Sequence, residues 1–229
     1  MIRRSARARR SRLTITDNGE AVVVLPMRAP ESHAYELVHR HRRWIATHQE
    51  RIRAQVAARS DRPSLDRGRS ILFGGTPHRV VSLAAIDGRR SSSIQAVDGC
   101  LVVTSPPLEN RSTAEILEQW FRSQARREIE ARVAERSREM AISPKRITIR
   151  DQKTRWGSAS RSGTLSFSWR LVMCPPSVLD YVVVHELAHL NVSGHGRGFW
   201  RLVERHFPDA RAARKWLRDH HDDVKHALD

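Results

Sequence analysis

Four side chains within one short stretch of this 229-residue sequence could carry metal-hydrolase chemistry: His185, Glu186, His189 and His195. Histidines four residues apart share one face of a helix with 3.6 residues per turn, so the imidazoles of His185 and His189 can converge on one ion. A catalytic zinc keeps three protein ligands and leaves its fourth position open. His195 is the natural third ligand. Gly194 permits a sharp reversal once the helix ends near Asn191, and six residues are enough chain to bring the ring back. Glu204, on a following helix, is the reserve ligand, and His206 near it is a lesser candidate. Zinc lowers the pKa of bound water toward about 7, so Glu186 is expected to take that proton, and the hydroxide to attack a polarised carbonyl. Glu186 then protonates the leaving amine. The tetrahedral oxyanion needs a donor, for which Lys153, Arg155, Arg170 and Tyr181 stand as unranked candidates. If the two imidazoles and the carboxylate were only buried in an apolar helix, they would be several costly polar groups with no common purpose.

The helix that must carry these groups, residues 178–191, is nearly apolar on every side, as a core helix is. Pro175-Pro176-Ser177 opens it, with Ser177 or a neighbour as its cap. Ahead of it, residues 147–150 read as a strand, and 154–158 and 164–171 as a hairpin around Arg161-Ser162-Gly163. Behind it, two amphipathic helices, 198–206 and 209–221, are separated by Pro208.

The front of the chain has a different texture. Residues 1–11 read as a basic flexible tail, and Leu13, Ile15 and residues 21–25 as a hairpin around Asp17-Asn18-Gly19. One surface helix is expected over 32–58, from Leu37, Trp44, Ile45, Ile52 and Val56. Four short strands, 71–73, 80–83, 94–97 and 101–103, are expected in antiparallel order. Ser112 and Glu115 form a capping box for a helix to about Met140, whose buried face is Ile116, Trp120, Ile129 and Val133. The fold class is therefore α+β. A boundary near residue 108 divides a strand-rich accessory region with one helix, 12–107, from a helix-rich half, 108–229, although one core can serve both.

A formal charge of +16 and a pI near 11.4 attract polyanions, so nucleic acid is a possible partner. All but four of the basic residues (Lys145, Lys153, Lys215 and Lys225) are arginines, a bias that a source's composition explains as readily as a binding face does. Only two cysteines occur, Cys100 and Cys174, too few and too far apart for a disulfide framework or a thiolate metal site. No apolar run is long enough for a membrane helix, and the arginine-rich start leads into no hydrophobic signal core, so a cytoplasmic protein is expected.

Taken together, several segments resemble the YgjP-like metallopeptidase domain family. They are Asp151-Gln152-Lys153-Thr154-Arg155-Trp156-Gly157-Ser158, Ser168-Trp169-Arg170-Leu171, and Asp180-Tyr181-Val182-Val183-Val184-His185-Glu186-Leu187-Ala188-His189, with His195 and Phe199-Trp200. The resemblance runs from about Arg12 to about residue 222. It implies a small zincin-like domain over 108–229, related to the SprT and Spartan proteases, with zinc on His185, His189 and His195 and catalysis by Glu186. One departure is visible. The family usually shows cysteine after Trp-Gly-Ser, and this chain has Ala159 there, so any role of that thiol is absent.

The leading expectation is a zinc-dependent hydrolase acting on a peptide or protein substrate. Two alternatives stay open: a metal-dependent hydrolase of nucleotides or phosphate esters, and a DNA-associated protease or binding module. The sequence contains no phosphate-cradling glycine loop. Oligomeric state is not legible.

Overall fold

A small core of Val23, Leu25 and Ala34, flanked by Leu13 and Leu37, belongs to the first of two units, Met1–Arg62 and Pro63–Asp229. The computed structural model describes residues 1–16, 19–152 and 154–229. In the first unit β1 (Ile2–Ser5), β2 (Arg12–Ile15) and β3 (Ala21–Pro26) form a sheet in the order β1-β3-β2. The hairpin β2–β3 is antiparallel as expected, while Asp17 and Asn18 of its turn lie outside the described residues. The expected flexible tail is corrected, because residues 2–5 pair with β3 in parallel register, Ile2 opposite Val23. Arg4 adds side-chain hydrogen bonds to the carbonyls of Met27 and Ala29, at 2.9 and 2.8 Å. The single helix expected over 32–58 is two, α1 (Ser32–Arg40) and α2 (Arg42–Ser60). The break falls at His41, whose φ of −105° and ψ of 16° leave the helical region.

The second unit opens with a short 3-10 turn, Leu65–Arg67, followed by β4 (Ser70–Phe73), β5 (Thr76–Ala84), β6 (Ser93–Val97) and β7 (Cys100–Ser105). Their order is β4-β5-β7-β6. The expected all-antiparallel order is corrected: β7 turns back tightly on β6 and inserts beside β5, to which it is parallel. Helix α3 (Thr113–Met140) starts on the expected capping box. Ser112 N–H donates to Glu115 Oε2 at 2.7 Å, and Glu115 N–H donates to Ser112 Oγ at 3.3 Å. Ile116, Ile129 and Val133 are buried on its inner face, with Trp120 partly buried beside them.

A second small sheet, β8 (Arg146–Arg150), β9 (Gly157–Ala159) and β10 (Thr164–Ser168), has the order β8-β10-β9, so β9 is an edge strand. Residues 169–173, expected to extend the hairpin, form a 3-10 segment instead. Then come α4 (Pro176–Asn191), α5 (Arg197–His206), α6 (Ala210–Asp219) and α7 (His221–Lys225). The two sides of the boundary expected near residue 108 do share a core. Ile71, Val80, Leu101 and Val103 of the four-stranded sheet share one core with α3 and α4, and the division falls at Arg62/Pro63. No helix among the described residues is long and apolar enough to cross a membrane.

Candidate metal centre

Helix α4 is held by burial on nearly all sides: Val183, Val184, Leu187 and Ala188 are fully enclosed. It starts at Pro176 with Pro175 in the cap position, and no side chain caps it, so Ser177 does not take the role expected of it. Two attachments fix its N-terminal half. The backbone N–H groups of Gly74 and Gly75, in the β4–β5 turn, donate to the carbonyls of Val172 and Met173 at 3.0 and 2.9 Å, just ahead of the helix. Asp180 is buried and held by Arg136 of α3 through two hydrogen bonds, Nε to Oδ1 at 2.8 Å and Nη2 to Oδ2 at 2.5 Å. The Asp180 carboxylate in turn holds the Arg136 guanidinium above its ordinary pKa.

One turn apart on α4, His185 and His189 point their Nε2 atoms toward His195 Nε2, which stands 3.3 Å from the first and 3.2 Å from the second. The expected reversal occurs at Gly194, with φ +77°. A tetrahedral ion 2.0–2.1 Å from each nitrogen spaces its ligands about 3.3 Å apart. Two of the three pairs already stand at that separation and the whole set spans no more than 4.8 Å, so slight imidazole rotations suit it to one ion. The outer nitrogens of His185 and His189 are engaged elsewhere. His189 Nδ1 lies 3.4 Å from the Val192 carbonyl, which only accepts, so Nδ1 carries the proton and Nε2 presents a lone pair. His185 Nδ1 is 3.3 Å from the Tyr181 hydroxyl. Phe199, fully buried, stacks on His189 at 4.3 Å and meets His185 and His195 edge-on at 4.9 Å, making an apolar floor under the three rings. Burial first, and then the neighbouring His189 and His195, hold His185 down at about pKa 3; burial also lowers His189. Both shifts favour the neutral imidazole, the form that a metal ligand takes.

Glu186 is 6% exposed and faces strand β9. Desolvation pushes its carboxyl up to about pKa 7, against a smaller lowering by the Arg155 guanidinium. A Cβ on Gly157 would sit 2.6 Å from Glu186 Cγ and 2.7 Å from Oε1, so the carboxylate occupies the space where any other residue would place a side chain. His185, Glu186, His189 and His195 line a cleft of about 940 Å³ together with Arg155 and Gly157.

The other sequence candidates sort by position. Glu204 is exposed and His206 half-buried, and among the described residues neither joins the three-histidine group. Tyr181 is buried behind His185, its phenol pushed up to about pKa 12 mainly by burial, so it orients the ring and does not face the cleft. Arg170 is committed elsewhere: it pairs with Asp151, donates to the Lys225 carbonyl at 3.1 Å and lies 4.1 Å over the Trp169 ring. Lys153 lies outside the described residues. Of the three described candidates, Arg155 alone both lines the cleft and acts on Glu186. Gly157 and Phe199 are contributions that spacing did not reveal. A glycine inside a strand pattern is the one hint of close approach that the sequence held.

Among solved structures, the chain is similar to the crystal structure of the metallopeptidase zymogen of Pyrococcus abyssi abylysin. The identity is 24%, covering 40% of this chain and 93% of that one, with a TM-score of 0.37. No curated protein sequence matches the chain. The YgjP-like, metallopeptidase domain profile matches residues 9–220, a span that takes in the three histidines, Glu186 and Gly157 alike, and so the chain belongs to the YgjP-like metallopeptidase family.

Proposed function

We propose that this metallopeptidase is a zinc-dependent peptidase in which His185, His189 and His195 hold the metal and Glu186 is the catalytic base and acid. The observation that carries the reading is the meeting of three imidazole Nε2 atoms beside a buried carboxylate whose pKa is raised to about 7 by burial. A zinc ion there supplies Lewis-acid polarisation of water and of the scissile carbonyl. Glu186 takes a proton from the attacking water onto its carboxylate. As the C–N bond breaks, it returns that proton to the amine nitrogen. Arg155 is the cation on the cleft side of Glu186 and is suited to receive developing negative charge on the carbonyl oxygen. The outer edge of β9 carries no strand among the described residues, and an extended peptide laid along it passes Gly157 and therefore Glu186.

The test is hydrolysis of unstructured peptides by zinc-loaded protein. Glu186→Gln should lower the rate by about 10²-fold or more, the range of a lost general acid–base. A variant as active as the native protein overturns the assignment. Metal content tests the ligand set separately: His185→Ala and His195→Ala should each purify with far less than one zinc per chain, whereas Glu186→Gln keeps it.

A further inference from the structure

We infer that the cleft selects peptides bearing acidic side chains and that Lys145 and Arg161 read them, an assignment of substrate class that rests on the peptidase reading above. Three cations line the cleft, Lys145, Arg155 and Arg161, and the one carboxylate among the described lining residues is Glu186, which is buried and occupied with proton transfer. Some arginines elsewhere in the same unit sit on acids of their own, as Arg89 on Asp87, Arg111 on Glu109, Arg126 on Glu130 and Arg132 on Glu135 do. Among the described residues, Lys145 and Arg161 have no such partner. Their charges are available to a ligand.

Their placement converts charge into register. Arg161 lies in the β9–β10 turn, and Lys145 lies just before β8, where its N–H donates to the Gly163 carbonyl at 2.8 Å. The lysine stem lies across Gly163, whose added Cβ would be 3.0 Å from Lys145 Cγ, so the stem is guided while the ammonium stays exposed. Both cations thus stand beyond the end of β9 opposite to Gly157, the residue that touches Glu186. A strand advances about 3.3 Å per residue, so an extended peptide on the β9 edge brings a side chain to this pair roughly four residues from its scissile bond. Pairs formed by exposed cations are individually weak and screened by salt, so the expected selection is about threefold to tenfold and fades as ionic strength rises.

The experiment uses matched unstructured peptides that differ only in carrying glutamate, glutamine or lysine four residues to either side of a central cleavable segment. Anisotropy of labelled peptides on zinc-loaded Glu186→Gln protein reads binding, and cleavage by the native zinc enzyme reads turnover. The glutamate peptide should be preferred at low salt in both assays, and the doubly substituted Lys145→Glu/Arg161→Glu protein, checked for fold by circular dichroism, should prefer the lysine peptide instead. Equal handling of the three peptides by the native protein, or an order unchanged by the charge reversal, overturns the inference while leaving the peptidase reading intact. Selective binding of the glutamate peptide with no cleavage of any peptide supports the charge selection and sinks the hydrolytic reading. A single-stranded DNA oligonucleotide that displaces the glutamate peptide at lower concentration, and loses that ability on the same charge reversal, overturns the inference in favour of nucleic acid.

Discussion

The Glu186 carboxyl is tuned chiefly by exclusion of water, and that has a thermodynamic signature in the metal-free protein. Its pKa rises from 4.5 in the unfolded chain to about 7 in the fold, so between those values the native state holds a proton that the unfolded state has lost. Stability from this group is therefore full below pH 4.5 and declines as pH rises toward 7. His185 acts in the opposite sense: lowered from 6.5 to about 3, it weakens the fold as pH falls through that interval. Glu186→Gln should accordingly raise the urea midpoint of the metal-free protein at pH 7.5 relative to the native chain, and the gain should shrink toward zero at pH 4.5. A gain that does not vary with pH contradicts the burial account. Gly157 offers a sharper probe. Gly157→Ala places a methyl 2.6 Å from Glu186 Cγ, and displacing a catalytic carboxylate by up to about 1 Å costs on the order of 10- to 100-fold in turnover. Zinc content should not change, which separates this from loss of a ligand. The convergence of His185, His189 and His195 was legible in the sequence because they lie within eleven residues on one helix and one turn. Gly157 and Phe199 were not legible in these roles, since each meets Glu186 or the histidines through packing that no local spacing encodes, whereas Tyr181 stands one helical turn before His185 and only its role differs from the oxyanion donor expected.

Helix α4 shows how a scaffold holds such groups still. Asp180 is buried five residues before His185, and its charge is tolerated only because Arg136 reaches across from α3. Arg136→Ala leaves that carboxylate with only the more distant Arg132, 3.7 Å away, and should cost about 3 kcal/mol in denaturant unfolding. Combining it with Asp180→Asn should recover part of the loss, because the stranded charge is then gone. Legibility at this level follows the range of the interactions. The α3 capping box and the β2–β3 and β9–β10 hairpins are local and were read correctly. The parallel pairing of β5 with β7 depends on a return across the intervening β6, which alternation of apolar residues does not specify. Strand β1 carries Arg3 and Arg4 on a sheet edge, where charge suits solvent and blunts edge-to-edge association, so its composition reads as a tail. His41 breaks a helix with neither proline nor glycine to announce it.

At the scale of the whole chain, the division at Arg62/Pro63 means that the three histidines, Glu186 and the core that holds them all belong to Pro63–Asp229. That segment expressed alone should melt cooperatively and bind zinc, as far-UV circular dichroism and metal analysis would read, even though the family profile begins at residue 9. Failure of the segment to fold would show that residues 1–62 contribute stability to it. Within this unit the contact of the β4–β5 turn with the start of α4 has a consequence for engineering. A Cβ on Gly75 would fall 2.5 Å from Pro175 Cγ, which makes the tip of a hairpin a hundred residues upstream the doorstop against which the helix carrying His185 and His189 is set. A minimal version trimmed to β8 onward would keep His185, His189 and His195 and still lose that stop, leaving the first turn of α4 to drift along the axis and carry His185 and His189 out of alignment with His195.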